Sequence, residues 1–221
     1  APNQLIRKWI RIEPTFDFTL FTFHLTMASI EEIRTDRIRK LGLLKEKGMN
    51  PYPVATKRSL SVAEALASFA KLARANKKIT LAGRVMAIRG QGALVFFNIK
   101  DGEAMIQGFL KRDELSEDLL TLFQDTIDIG DFVECTGTLF VTKRKEKTIL
   151  VKGWNILAKS LRPLPDKWHG LQDVEERFRK RYLDMLMSAE VRDRFVLRSR
   201  LITEMRAFLN DAEYLEVETP L

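Results

Sequence analysis

Cysteine and histidine are scarce in this chain of 221 residues, which holds one cysteine, Cys135, and two histidines, His24 and His169. A single thiol excludes an intramolecular disulfide, and so few soft ligands argue against any Cys/His zinc site. The scarcity points to a reducing, cytoplasmic compartment. No run of about 18 apolar residues occurs, which excludes a sequence-evident transmembrane helix. The nearest approach to a signal-peptide core is FDFTLFTFHLT (16–26), but Asp17, His24 and several threonines interrupt it, and no small-x-small cleavage pattern precedes Met27. A glycine-rich phosphate loop is also missing, so these residues have no such cradle for a nucleoside triphosphate.

What is present is ordinary for a globular protein: 45% hydrophobic and 30% charged residues, enough for a sizeable core in one large domain or two small ones. The balance is basic, with a net charge of +7 and pI near 9.5, which suits a polyanionic partner. The chain starts at Ala1 and reaches Met27 just before MASIEEIRTDRIRKL. Residues 1–26 read as an extraneous or disordered extension, with a functional extension as the other reading. The sequence stops at VETPL, directly after an extended pattern, and reads as the N-terminal part of something longer.

Ser29 with Glu32 forms a capping box that opens a helix to about Lys47, with Ile30, Ile33, Ile38, Leu41 and Leu44 as a narrow apolar stripe. GMNPYP (48–53) ends it. A second box, Ser61 with Glu64, opens a short helix through VAEALASFAKLA, completing a helical region over 27–78. From Ile79 the period becomes two: ITLAGRVMAIRG, ALVFFNIK, EAMIQGFL, DFVECTGTLFV and KTILVKGWNIL read as five strands over 79–160. Asp101-Gly102 marks a hairpin turn, and ELSEDLLTLFQDT (114–126) supplies a helix between the third and fourth strands. Five strands with a helix after the third is the element order of an OB-fold barrel, and such barrels bind oligonucleotides on strands two and three.

Alternation then decides what that face carries. Val95, Phe97 and Ile99 take the core side, so Leu94, Phe96, Asn98 and Lys100 point outward. In the third strand Ala104, Ile106 and Leu110 face the core, and Glu103, Met105, Gln107 and Phe109 face out. An outward aromatic beside an outward amide can stack a single-stranded base and bond its edge. The competing reading of Phe96 is packing against the N-terminal helix; that of Gln107 is a plain exposed glutamine. VTKRKEKT (141–148) is a basic hairpin, read either as a solvated turn or as a phosphate clamp with Glu146 as its one acceptor.

LRPLPDKWHGLQD (161–173) gathers two prolines, Trp168 and His169 into a linker that is neither helix nor central strand. Beyond it VEERFRKRYLDMLMS carries Arg177, Arg179, Lys180 and Arg181, read as a solvated charged face. Ser188 caps a long helix with Val191, Phe195, Ile202, Met205 and Leu209 at helical spacing, and YLEVETPL alternates as a strand ending near Pro220.

The helices and barrel, the linker LRPLPDKWHGLQDVEERFRKRYLD and the unit FLNDAEYLEVETPL resemble the N-terminal part of a bacterial-type class II lysyl-tRNA synthetase from about Met27 onward. The resemblance implies an α+β fold: a five-stranded OB-fold β-barrel with N-terminal helices, a linker over 161–172, and the first helix-strand unit of a class II catalytic domain from 173. It also implies that the barrel binds the anticodon of tRNA(Lys), whose central base is uracil, with Phe96 as the stacking aromatic and Gln107 as the base-edge partner. Glu146 matches an acidic anticodon contact and Arg89 a basic one, while Lys143 and Arg144 of the hairpin meet phosphate. Uracil offers an N3–H donor next to an O4 acceptor, and a glutamine amide can satisfy both. Pro220 matches the proline closing the first class II motif, at the dimer interface. Glu213 departs from the family, which has glycine before the aromatic of that turn.

The full enzyme is expected to use ATP and Mg2+ and to be a homodimer, with no membrane partner. The residues present are expected to include no catalytic, metal or cofactor site and to be inactive alone in aminoacylation. The alternative is a stand-alone OB-fold module for single-stranded nucleic acid, which has no need of the helix-strand unit after the linker. An aspartyl- or asparaginyl-specific relative is a third reading, against which PLPDKWHGL argues.

Overall fold

The computed structural model describes residues 29–90, 93–102, 104–165 and 171–220. The expectations for residues 1–26, for Glu103 and for Trp168 and His169 fall outside these. Helix α1 (Ile30–Glu46) begins at the expected capping box, with Ser29 accepting from the Glu32 N–H and Glu32 accepting from the Ser29 N–H. The apolar stripe docks it only in part, through its C-terminal end. Leu44 is buried, but Ile30 is 62% and Ile38 44% exposed. Between them Arg37 is buried and donates to the carbonyls of Ile129, Ser160 and Arg162 at 3.1, 2.8 and 3.0 Å. The surface that α1 meets is a rim of backbone carbonyls, which a guanidinium can bond and an isoleucine cannot.

The second expected helix is two, α2 (Val62–Ala67) and α3 (Phe69–Arg74), broken at Ser68 so that Phe69 and Leu72 enter the core. The barrel follows as β1 (Ile79–Arg89), β2 (Leu94–Asp101), β3 (Ala104–Lys111), α4 (Glu117–Thr126), β4 (Phe132–Val141) and β5 (Lys147–Ala158). The strands close in the order β1-β2-β3-β5-β4, with only the β3–β5 pairing parallel. Asp101 pairs with Ala104 around Gly102 at φ +61°, the turn that Asp-Gly predicts.

An aromatic trio fills one end of the barrel. Phe97 lies 4.9 Å from Phe123 of α4, and Trp154 meets Phe123 edge-on at 5.2 Å while donating its Nε1 proton to the Leu119 carbonyl at 3.1 Å. The Phe97 ring lies over Gly108, where a Cβ would come within 2.3 Å of it. At Gly137 a Cβ would come within 1.9 Å of the Leu150 carbonyl, so β4 and β5 approach closely only because that side chain is missing.

Polar groups fasten the barrel to its surroundings. Lys159 Nζ, fully buried, bonds the Thr126 carbonyl, Asp128 Oδ2 and Asp131 Oδ2 at 2.5, 2.5 and 2.7 Å. Lys40 of α1 reaches Asp128 Oδ1 at 2.7 Å. Burial pushes both carboxyls up. For Asp131 it prevails and the pKa is raised, whereas Lys159 and Lys40 together outweigh it at Asp128 and hold that group low. On another side Glu134 accepts from Thr56 Oγ1, Lys57 N–H and Asn155 Nδ2 at 2.8, 2.8 and 3.0 Å, tying the segment before α2 to β4.

After the linker, α5 (Val174–Arg179), α6 (Arg181–Met187) and α7 (Ala189–Asp211) form a helical unit. The charged run is not all solvated face. Arg177 Nε and Arg181 NH1 converge on buried Asp184 at 3.2 and 2.7 Å, while Arg179 and Lys180 make i,i+4 pairs with Glu175 and Glu176. Helix α7 starts at Ser188 as expected. Of its stripe Val191 is buried, but Phe195, Ile202, Met205 and Leu209 are 38–56% exposed. Residues 214–220 are not a strand, because a strand requires a backbone ladder to a neighbour and none of the described strands forms one with them.

Three helices end in the same paired bonds. Gly48, Asn76 and Glu213 sit at φ +77°, +46° and +62°, each donating three residues back while the next residue donates five back. This is the Schellman turn, which favours glycine because a Cβ is strained there. Glu213, at the position where glycine is expected by resemblance, carries that strain. Glu213→Gly should therefore raise stability by about 0.5–1 kcal/mol, the left-handed cost relieved less the added freedom of the unfolded chain. A melt that falls instead would show that the Glu213 side chain, not the turn, sets the energy.

Glu134 gives a pH-dependent expectation. Burial raises its pKa, but the donors from Asn155, Lys57 and Thr56 outweigh burial and hold it below the usual glutamate value. A depressed carboxyl contributes stability that is present above its unfolded pKa and lost as pH falls through the folded one. Glu134→Gln should cost about 1–3 kcal/mol at neutral pH. The gap from wild type should close below about pH 4, in thermal melts run as a pH series.

Candidate nucleic-acid interface

The alternation that puts Phe97 inside puts Phe96 outside, and cross-strand register builds a face in rows. Arg89 of β1 stands opposite Phe96 of β2, and Phe96 opposite Phe109 of β3. One step along, Ala87, Asn98, Gln107 and Thr148 align across β1, β2, β3 and β5. Phe96 and Phe109 stack at 4.5 Å with 13° between planes, and Phe140 of β4 leans on Phe109 at 6.1 Å. Phe96 therefore packs on its neighbour in the sheet, not on α1, and its partly open ring continues an aromatic row. Arg89 is exposed at the end of that row.

The next row is polar and already oriented. Gln107 Nε2 donates to Glu146 Oε2 at 2.6 Å, and Gln107 Oε1 accepts from Thr148 Oγ1 at 3.0 Å. A carboxylate only accepts, so Glu146 fixes which end of the amide points where. One Nε2 proton and one Oε1 lone pair remain, side by side, for a ligand. Glu146 belongs to a tight hairpin closed by Lys145 N–H to the Thr142 carbonyl at 2.8 Å, with Lys145 at φ +63°. Lys143, Arg144, Lys145 and Lys147 are exposed on it.

Arg89, Phe96, Gln107 and Glu146 thus come together on one face, with Lys143 and Arg144 on the hairpin beside it. Pro220 lies exposed in the segment after α7 and is not among them. Sequence reading missed Phe140 and Thr148. Thr148 sits beside a basic turn with no sign that it would be buried under it. Phe140 belongs to β4, whose outward side had no assigned role. Among the described residues no group of three His, Cys, Asp or Glu is placed to hold a metal ion, and no helix is long and apolar enough to cross a membrane.

Residues 79–157 match the family described as OB-fold nucleic acid binding domain, and residues 173–221 the family of class II tRNA synthetases (D, K and N). A nucleic-acid-binding barrel joined to the start of a class II synthetase domain defines the class of protein. Within that class the chain is homologous to lysine–tRNA ligases: it is 42% identical to the one from Roseiflexus sp. (strain RS-1) over 86% of this chain and 39% of that protein. It is 43% identical to the lysine–tRNA ligase of Carboxydothermus hydrogenoformans and 38% to that of Thermosipho africanus, each over 87% of this chain and 39% of the relative. The chain thus spans about two fifths of the length of the curated relatives it matches.

The face makes one assignment that melts can check. Phe97→Ala should cost about 3–5 kcal/mol, because it empties the barrel's aromatic trio. Phe96→Ala should cost clearly less, since its ring is half open and loses mainly one stacked pair, worth about 0.5–1.5 kcal/mol. Greater damage from Phe96→Ala would invert the two faces.

Proposed function

We propose that this chain is the anticodon-binding part of a lysine–tRNA ligase, a protein that attaches lysine to tRNA at the expense of ATP. The observation that carries the reading is the Phe96–Phe109 stack beside a Gln107 amide held by Glu146 and Thr148. A base stacked on Phe96 presents its edge to the free proton and lone pair of Gln107. Uracil answers with its O4 acceptor and N3–H donor; cytosine offers the reverse pair and leaves groups unpaired, at a cost of about 1–3 kcal/mol each. Arg89, Lys143 and Arg144 then meet the flanking phosphates of the anticodon loop of tRNA(Lys).

The same reading divides the chain into a helical region (27–78), an anticodon-binding barrel (79–160), a linker (161–172) and the beginning of a catalytic domain (173–221). It assigns Pro220, with the exposed face of α7, to a homodimer interface, and the whole protein to the cytoplasm. It assigns ATP and Mg2+ to the whole enzyme, and no role given to the described residues runs through them. A stand-alone binding module leaves the synthetase match over 173–221 without purpose.

Binding of an RNA stem-loop with a UUU loop should weaken with salt by about 0.7 log unit per neutralised phosphate per tenfold change. Gln107→Ala should lower the preference for uracil over cytosine at the central loop position by roughly tenfold, the counterpart of about 1–3 kcal/mol. Fluorescence anisotropy with both RNAs reads the two effects. Affinity that is flat with salt, or discrimination that survives Gln107→Ala, would remove the assignment.

A further inference from the structure

Between Glu64 and Asp101 the sequence contains no acidic residue, while Lys71, Arg74, Lys77 and Lys78 fall close together within that stretch. The structure puts all four on the surface of α3 and the turn after it. On α1, by contrast, Arg34 pairs with Glu31, Arg39 with Asp36 and Lys40 with Asp128, and on α5 Arg179 pairs with Glu175. None of the four cations of the α3 surface has an ion pair or hydrogen bond to an acid among the described residues. Unneutralised lysines at neighbouring positions repel one another, so this arrangement costs stability unless an anion answers it.

The position of this surface is set by the hairpin between β4 and β5. On one side of that hairpin Glu146 holds Gln107 of the sheet face. On its other side Lys147 Nζ stands 5.4 Å from the centre of the Phe69 ring, the first residue of α3. The hairpin therefore touches the sheet face through Glu146 and α3 through Lys147, and α3 is the helix whose exposed side carries Lys71 and Arg74. The Schellman turn at Asn76 then reverses the chain and keeps Lys77 and Lys78 on the surface at the entry to β1, where Ile79 pairs with Gly137 of β4.

We propose that α3 and its following turn form a second RNA-binding surface, which takes the sugar-phosphate backbone flanking the bases held on the sheet. The surface carries no outward aromatic on which a base could stack, and its amide, Asn76, stands alone among cations, so it contributes affinity and orientation, not sequence choice. The inference rests on the anticodon-face reading, because it needs an RNA whose bases are already seated beyond the hairpin.

The test uses the whole chain, a variant with Lys71, Arg74, Lys77 and Lys78 all changed to alanine, and Phe96→Ala. Two probes separate the surfaces: a UUU-loop RNA stem-loop and a short linear strand of the loop sequence alone. The quadruple variant should bind the stem-loop at least about tenfold more weakly, with a salt slope smaller by about 2–3 at roughly 0.7 per phosphate contact. Its affinity for the linear strand should stay within about twofold, while Phe96→Ala weakens both. A variant carrying arginine at positions 71, 77 and 78 should retain wild-type binding, which excludes loss through misfolding. If wild type binds neither RNA, the anticodon face itself is wrong. If wild type binds both and the quadruple variant matches it, or loses both equally, the second surface is wrong and the face stands. Vesicles of phosphatidylglycerol in phosphatidylcholine form a third arm, and charge-dependent binding to them without a stem-loop effect would assign the patch to a membrane and overturn the proposal.

Discussion

The ammonium of Lys159, buried between two aspartates, is the contact on which the arrangement of the chain depends. It joins the loop from α4 to β4, through Thr126, Asp128 and Asp131, to the end of β5. Asp131 also accepts from the Ser160 N–H, and Arg37 of α1 bonds the Ser160 and Arg162 carbonyls. Barrel closure, α1 and the start of the linker therefore meet in a single ionic cluster. Such a cluster is not a strong source of net stability, because desolvation offsets most of the attraction. Removing one member, however, leaves a buried charge unpaired at about 3–5 kcal/mol. Its value lies in geometry: the charges and carbonyls are satisfied in only one arrangement of the three segments.

The barrel held in this way presents two aromatic clusters built from adjacent residues. Phe97 joins Phe123 and Trp154 inside, and Phe96 joins Phe109 and Phe140 outside. A period of two makes this separation obligatory once either ring is placed. The outer cluster gains a polar neighbour because Gln107 and Phe109 are two residues apart on one strand and so share a face. Thr148 and Glu146 hold the Gln107 amide in place with no mobile part.

Charge is distributed with the same economy. Acids sit beside cations on α1, α5 and around Asp184, whereas the hairpin and α3 leave theirs open. Glu146 is the exception on the hairpin, and it is engaged with Gln107. Among the described residues, the hairpin beside the aromatic row thus carries four exposed cations and α3 with its turn another four.

Much of this was legible in the sequence because it depends on local rules. The capping boxes at Ser29 and Ser61, the turn at Asp101-Gly102, the five strands and the inward or outward sense of Phe96, Phe97 and Gln107 follow from backbone hydrogen bonding and alternation. What the sequence could not supply were contacts between residues far apart in the chain. Arg37 with Ser160, Lys159 with Asp131 and Thr148 with Gln107 leave no periodic trace, since a buried polar side chain is recognisable only beside its partner. The stripe on α1 told only part of the docking for the same reason: Leu44 enters the core, but only the tertiary structure shows that Arg37 of the same helix meets carbonyl oxygens. Residues 214–220 alternate like a strand, yet alternation is a property of one segment and a strand is a property of two.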